Sequence, residues 1–146
     1  MKKNFTIVSI NISEKQGTQK KPVSKAVLKP EHGIVGDAHA RKWHRQVSLL
    51  ADEDIDTMRG KGVELDFGDF AENMITRGVD LSTLPVGTRL YLGAAVLEVT
   101  QIGKECHQHC GVFKAVGDCV MPRRGIFARV LEGGTIDCES DCYYDI

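Results

Sequence analysis

Arg89-Leu90-Tyr91-Leu92-Gly93-Ala94-Ala95-Val96-Leu97-Glu98-Val99-Thr100-Gln101-Ile102 reads as two apolar strands joined at Gly93-Ala94. Apolar runs bounded by turn residues are strand signals, and a short glycine-containing link between two of them makes a hairpin. Pro85-Val86-Gly87 turns the chain into the first strand, and Gly103 marks the exit from the second. The same grammar recurs on both sides. Phe5 to Ile12, Ala26 to Leu28, Gln46 to Leu50, Phe70 to Thr76 and Ile126 to Leu131 are strand candidates, with a short final strand beyond Gly133-Gly134. The apolar register of the first strand slips between Ile7 and Ile10, which predicts a bulge there. Asp52-Glu53-Asp54 opens a helix to Arg59, because acidic residues suit the positive end of the helix dipole. Ile55 and Met58 give that helix an apolar side, and Gly60 stops it. A second short helix is expected between His107 and Ala115, where Cys110, Phe113 and Ala115 would cover a core face. Many short strands, few helices and glycine punctuation predict a mainly β fold: a single-domain, partly closed β-barrel with two or three short helices.

Composition narrows the function classes. The chain has 146 residues, 42% hydrophobic and 27% charged, with a formal net charge of -1. That is enough for one domain, residues 1–146, with a core of its own. A near-neutral balance gives no general attraction to nucleic acid or anionic membranes, so any anion site must be local. No apolar stretch approaches the roughly 20 residues a membrane span needs. Met1-Lys2-Lys3-Asn4 runs directly into a strand without a cleavage pattern, so a cytoplasmic chain is expected. Ser13 to Glu31 is lysine-rich and reads as an exposed connection whose charges form a solvated face.

The chemistry concentrates in Lys104-Glu105-Cys106-His107-Gln108-His109-Cys110. A neighbouring cation or a proton-accepting imidazole lowers a thiol's pKa and raises its thiolate fraction, and the thiolate is the nucleophile and metal ligand. Lys104, His107 and His109 can supply both to Cys106. All 5 cysteines (Cys106, Cys110, Cys119, Cys138 and Cys142) lie in the last third of the chain. An odd, clustered set does not suit a disulfide-stapled secreted domain. The pairs Cys106/Cys110 and Cys138/Cys142 have spacings open to structural zinc, but neither is framed as a tight knuckle, and no zinc is expected. Cys110 is either a resolving thiol for Cys106, which would make a redox sensor, or a core residue.

Other polar groups interrupt apolar surroundings. Gly36-Asp37-Ala38-His39 and His44-Arg45 place an acid, imidazoles and a guanidinium ahead of a strand. Glu72 and Asn73 break the Phe70–Thr76 run. Phe127, Arg129 and Leu131 share one strand face by period-two alternation. An arginine so placed either snorkels to solvent or binds an anion in a pocket.

Together these pieces resemble the molybdenum-cofactor sulfurase C-terminal (MOSC) domain in its small stand-alone bacterial form. The resemblance is carried by Val8-Ser9-Ile10-Asn11-Ile12, Gly36-Asp37-Ala38-His39, Arg45-Gln46-Val47-Ser48-Leu49-Leu50 and Gly68-Asp69-Phe70-Ala71-Glu72-Asn73. Thr100 to Cys106 and Gly125 to Leu131, with Gly133-Gly134, complete the series in order. Glu105 stands where larger relatives often have proline. The resemblance implies a barrel with a cleft around Cys106, which would carry sulfur as a persulfide or ligate molybdenum. It implies Arg45, Asn73 and Arg129 as contacts to a molybdenum-pterin cofactor, with His39 and Lys104 beside them. The implied partners are a cysteine desulfurase or other sulfur donor, and molybdenum cofactor biosynthesis proteins or molybdoenzymes.

Overall fold

The structure, a computed structural model, describes residues 2–15, 20–60, 72–103 and 125–145. Eleven strands are found among them: β1 (Lys2–Ile12), β2 (Lys21–Val23), β3 (Lys25–Lys29), β4 (Gly33–Ile34), β5 (Val47–Ala51), β6 (Met74–Arg77), β7 (Arg89–Leu92), β8 (Ala95–Ile102), β9 (Ile126–Glu132), β10 (Gly134–Asp137) and β11 (Cys142–Asp145). A single α-helix, α1 (Asp52–Arg59), and one short turn of 3-10 helix at Leu81–Thr83 complete the described elements. The helix count is thus one α-helix among the described residues. The helix expected between His107 and Ala115 lies outside them, as does the side chain of Met58.

Seven strands close on themselves in the order β1-β11-β7-β8-β9-β5-β6 and back to β1. The barrel is therefore closed. Closure depends on β1, whose first half pairs with β11 from Lys2↔Asp145 to Phe5↔Cys142, while its second half pairs with β6 and β2. Complete pairing leaves no exposed edge among those seven strands. The pairing of β5 with β6 is parallel and the other pairings are antiparallel. A small second sheet, β10-β3-β4, lies beside the barrel.

The bulge expected in β1 is present, with the β1/β6 register shifting between Ile7 and Ser9. Its effect is to carry Phe5, Ile7 and Ile10 all into the core, which an unbroken alternation would forbid. Inward residues of the other strands meet them: Val47 and Leu49 of β5, Leu97 and Val99 of β8, and Ile126, Ala128 and Val130 of β9. The helix packs Ile55 fully inside and ties its first turn outward, with Asp52 ion-paired to Arg59 at 3.4 Å and to Arg77 of β6.

Gly133 allows the small sheet to approach the barrel. A Cβ there would stand 2.6 Å from the Leu28 carbonyl oxygen and 3.2 Å from Pro30 Cδ. Gly133→Ala therefore forces β3 and β9 apart. Overpacking of this kind costs about 1–3 kcal/mol. Urea denaturation should show a lower midpoint, and an unchanged midpoint would mean the two sheets separate freely.

Candidate functional site

Period-two alternation places a second set of side chains on the outer wall of β5, β9 and β8. Ser48 stands opposite Phe127, and Phe127 stands opposite Gln101. Gln101 organises this wall. Its Oε1 accepts from Arg45 Nε at 3.1 Å and from His44 Nε2 at 2.9 Å, while its Nε2 donates to the Gly103 carbonyl at 2.8 Å. Thr100 Oγ1 donates to the His44 carbonyl and so pins the same segment. Arg45 is held over Phe127, its Cζ 5.0 Å from the ring centroid. A guanidinium held over an aromatic ring and anchored through Nε is pre-oriented, which reduces the rotamer entropy lost on binding. Neither of its terminal nitrogens has a hydrogen-bond partner among the described residues.

The adjoining end of the barrel is also fixed. Gly103 N–H donates to the Gly125 carbonyl at 2.6 Å. The segment between them, which contains Lys104, Cys106 and Cys110, lies outside the described residues. Its two ends nevertheless meet within one residue of β8 and β9, on the strands that carry Gln101 and Phe127.

Beside this wall runs a buried polar network. Asn73 is 1% exposed. Its Oδ1 accepts from the Ser48 N–H at 3.0 Å and from Ser48 Oγ at 3.2 Å, and its Nδ2 donates to the Asn11 carbonyl at 3.1 Å. Asp37 accepts from Lys20 Nζ at 2.7 Å and from the backbone N–H groups of Ser13 and His39, each at 3.1 Å. Burial by itself would raise the Asp37 pKa, but the Lys20 hydrogen bond and charge, with the Ser13 donor, outweigh it and hold the carboxyl below its ordinary value. The turn that carries His39 is tied down further by Trp43, whose Nε1 donates to the His39 carbonyl at 2.9 Å.

The residues expected at the site thus fall into different positions. Arg45 is half-buried on the outer wall. Arg129 is on the same strand face as Phe127, two residues along. Its guanidinium is half-exposed and engaged by Glu98, with Nε and Nη2 at 2.9 and 2.8 Å from Glu98 Oε1. It borders an open groove of about 520 Å³ shared with Glu31, Lys42, Trp43 and His44. Asn73 is a frame residue in this arrangement, its amide committed to Ser48 and Asn11. His39 is partly buried beside Asp37 and Lys20. Glu72 and Asn73 precede β6, and there Asn73 bonds the Ser48 backbone and hydroxyl.

Three contributors escaped sequence reasoning. Lys20 was expected in solvent with the other lysines, yet its side chain is completely buried against Asp37. Ser48 and Gln101 read as strand positions only. A polar residue on the outward register of a strand that neighbours Arg45 was the available signal for both. Among the described residues no group of three or more His, Cys, Asp or Glu side chains is arranged to hold a metal. Nor is any described helix long and apolar enough to cross a membrane.

Comparison with solved structures supports the architecture. The YuaD protein of Bacillus subtilis superposes with a TM-score of 0.81 at 19% identity, covering 99% of this chain and 96% of that one. YiiM from Geobacillus stearothermophilus gives 0.71 at 18% identity, over 97% of this chain and 75% of that one. YiiM from Escherichia coli gives 0.70 at 16% identity, over 98% and 70%. These likenesses show the fold. No curated protein sequence matches the chain. The family model for the MOSC domain matches residues 36–142, from the Gly36-Asp37 turn to Cys142 on the last strand. The chain belongs to the MOSC domain family.

Proposed function

We propose that this chain is a cofactor-binding and sulfur-carrying domain in molybdenum cofactor metabolism. In this reading Arg45 binds an anionic oxygen of a molybdenum-pterin cofactor, and Cys106 is the persulfide acceptor or metal ligand. The observation that carries it is the Arg45 guanidinium, held over the Phe127 ring and anchored by Gln101, with its terminal nitrogens unpaired among the described residues. Guanidinium matches a phosphate in a bidentate fork, so this donor set fits the anionic part of such a cofactor. The cofactor, when bound, supplies redox-active molybdenum. The chain's own share is to orient it through Arg45 on a wall held by Gln101 and Ser48, and to present a thiol.

The sulfur-carrying step needs only thiol exchange chemistry. The Cys106 thiolate attacks the terminal sulfur of a donor persulfide, such as that of a cysteine desulfurase. A new S–S bond forms on Cys106, the donor's S–S bond breaks, and the donor cysteine leaves as a thiolate. The acceptor would be the cofactor itself, or a molybdoenzyme or cofactor-assembly protein that receives it.

Arg45 provides the direct test. A charge-assisted hydrogen bond is worth about 1.5–3 kcal/mol. Arg45→Ala should therefore lower affinity for molybdenum-pterin about 10- to 100-fold, and Arg45→Lys should recover only part because lysine cannot fork. Anaerobically purified protein, assayed for molybdenum and for pterin fluorescence, gives the readout. Full cofactor content in Arg45→Ala would remove Arg45 from the site and its supporting observation with it.

A further inference from the structure

Lys20 is a buried ammonium with three polar neighbours among the described residues. Its Nζ lies 2.7 Å from Asp37 Oδ1, 3.1 Å from Ser13 Oγ and 3.0 Å from His39 Nδ1. Both side chains of the Lys20–Asp37 pair have zero exposure. A buried carboxylate needs a cation beside it, so Lys20 carries all three of its protons. An ammonium has no acceptor site, so every one of those three contacts is a donation. His39 Nδ1 must then be an acceptor.

We infer that Lys20 is a positioning residue that fixes His39 in the neutral form with its proton on Nε2. A ring nitrogen that accepts from an ammonium cannot itself hold a proton, and the neutral imidazole then keeps its proton on the other nitrogen. Asp37 adds to this arrangement without reversing it. Its Oδ2 is 3.9 Å from His39 Nδ1, beyond hydrogen-bond range, and Oδ2 is used by the His39 backbone N–H. Among the described residues, charged groups beside the ring include Lys20, nearest, and Asp37 behind it. The chemical consequence is specific. A ligand that reaches His39 Nε2 would meet an N–H donor, which suits an acceptor such as a phosphate or carbonyl oxygen, and would not find a proton-accepting base there.

This rests on the cofactor-site reading only for the identity of the ligand, and two separate measurements keep them apart. The first is nitrogen NMR of the histidine and lysine side chains in the intact, ligand-free protein at neutral pH. The expected result is one His39 tautomer with the proton on Nε2, together with a through-hydrogen-bond correlation between Lys20 Nζ and His39 Nδ1. A proton on Nδ1, or the absence of that correlation, overturns the inference whatever becomes of any variant. Lys20→Met, where its amide spectrum remains dispersed, should lose the correlation and move the Nδ1 resonance to that of an unbonded acceptor. An unmoved Nδ1 resonance would show that another group fixes the ring. The second measurement is cofactor content of His39→Gln, which retains a donor at a similar position, against His39→Leu, which has none. Retention in Gln and loss in Leu supports the donor role. Equal loss in both overturns that role. A wild-type protein that binds no cofactor counts against the proposed function and leaves the NMR result standing.

Discussion

Lys20→Met is expected to be the most destabilising single substitution considered, at about 3–5 kcal/mol, because it strands a buried carboxylate. The methionine fills most of the lysine volume, so the loss is electrostatic in origin. Asp37 would keep the Ser13 and His39 donors but lose the only cation bonded to it among the described residues. The pH dependence has a definite sign. In the wild type the Asp37 pKa is lowered by folding. Its contribution is therefore present above the unfolded carboxyl value of about 3.9 and is lost as pH falls through the lower folded value. In Lys20→Met the burial effect is no longer offset by a cation, so the folded pKa rises and protonation relieves the strain. The gap between the two proteins should be widest near neutral pH and narrow on acidification. Urea denaturation at pH 7 and pH 5 measures it. Adding Asp37→Asn to Lys20→Met should recover part of the loss, since no orphaned charge remains. A Lys20→Met protein within about 1 kcal/mol of wild type would mean that water reaches Asp37 and that the pair is not buried in solution.

Lys20 also shows where sequence reading stops. Lysines are rarely buried, and Lys20 is followed by exposed Lys21 and, further on, by exposed Lys25 and Lys29. Nothing in its own neighbourhood distinguishes it. What does so is Asp37, 17 residues on, brought back by the β2–β3–β4 excursion. Local features were legible because their causes are local: the β7–β8 hairpin, the helix opening at Asp52, and the bulge that reconciles Ile7 with Ile10. Closure of the barrel was not, because β1 meets β11 across almost the full chain. No short-range pattern encodes that pairing. The candidate site divides in the same way. Alternation put Phe127 and Arg129 on one face, but the choice between solvent and an anion depended on a partner. Register supplies it: Glu98 lies directly opposite Arg129 in the β8–β9 ladder and takes up its guanidinium. The Arg45–Gln101 contact likewise joins segments 56 residues apart.

Cys106→Ser is expected to abolish sulfur loading. Serine fills nearly the same space, but its hydroxyl is a weak nucleophile without a dedicated base. The choice of Cys106 over the terminal cysteines follows from their surroundings. Cys142 lies in the core on β11, and burial, with the charge of Asp141 and the nearby Cys138, pushes its thiol up to about 12. Partial burial of the Cys138 sulfur, with the carboxylates of Asp137 and Glu139, raises that thiol as well. Both are therefore almost entirely protonated near neutral pH, and a thiol attacks a persulfide only as its thiolate. Cys106 has Lys104, His107 and His109 within three residues and no flanking acid except Glu105. Incubation with a cysteine desulfurase and free cysteine, followed by intact-mass measurement, should show one added sulfur on wild type, removable by reductant. The same measurement on Cys138→Ser/Cys142→Ser should give unchanged loading. Iodoacetamide at neutral pH should likewise label Cys106 well before Cys142. Should Cys106→Ser accept sulfur at the wild-type rate, the acceptor would be Cys110 or Cys119, and the lysine–histidine activation argued for Cys106 would be wrong.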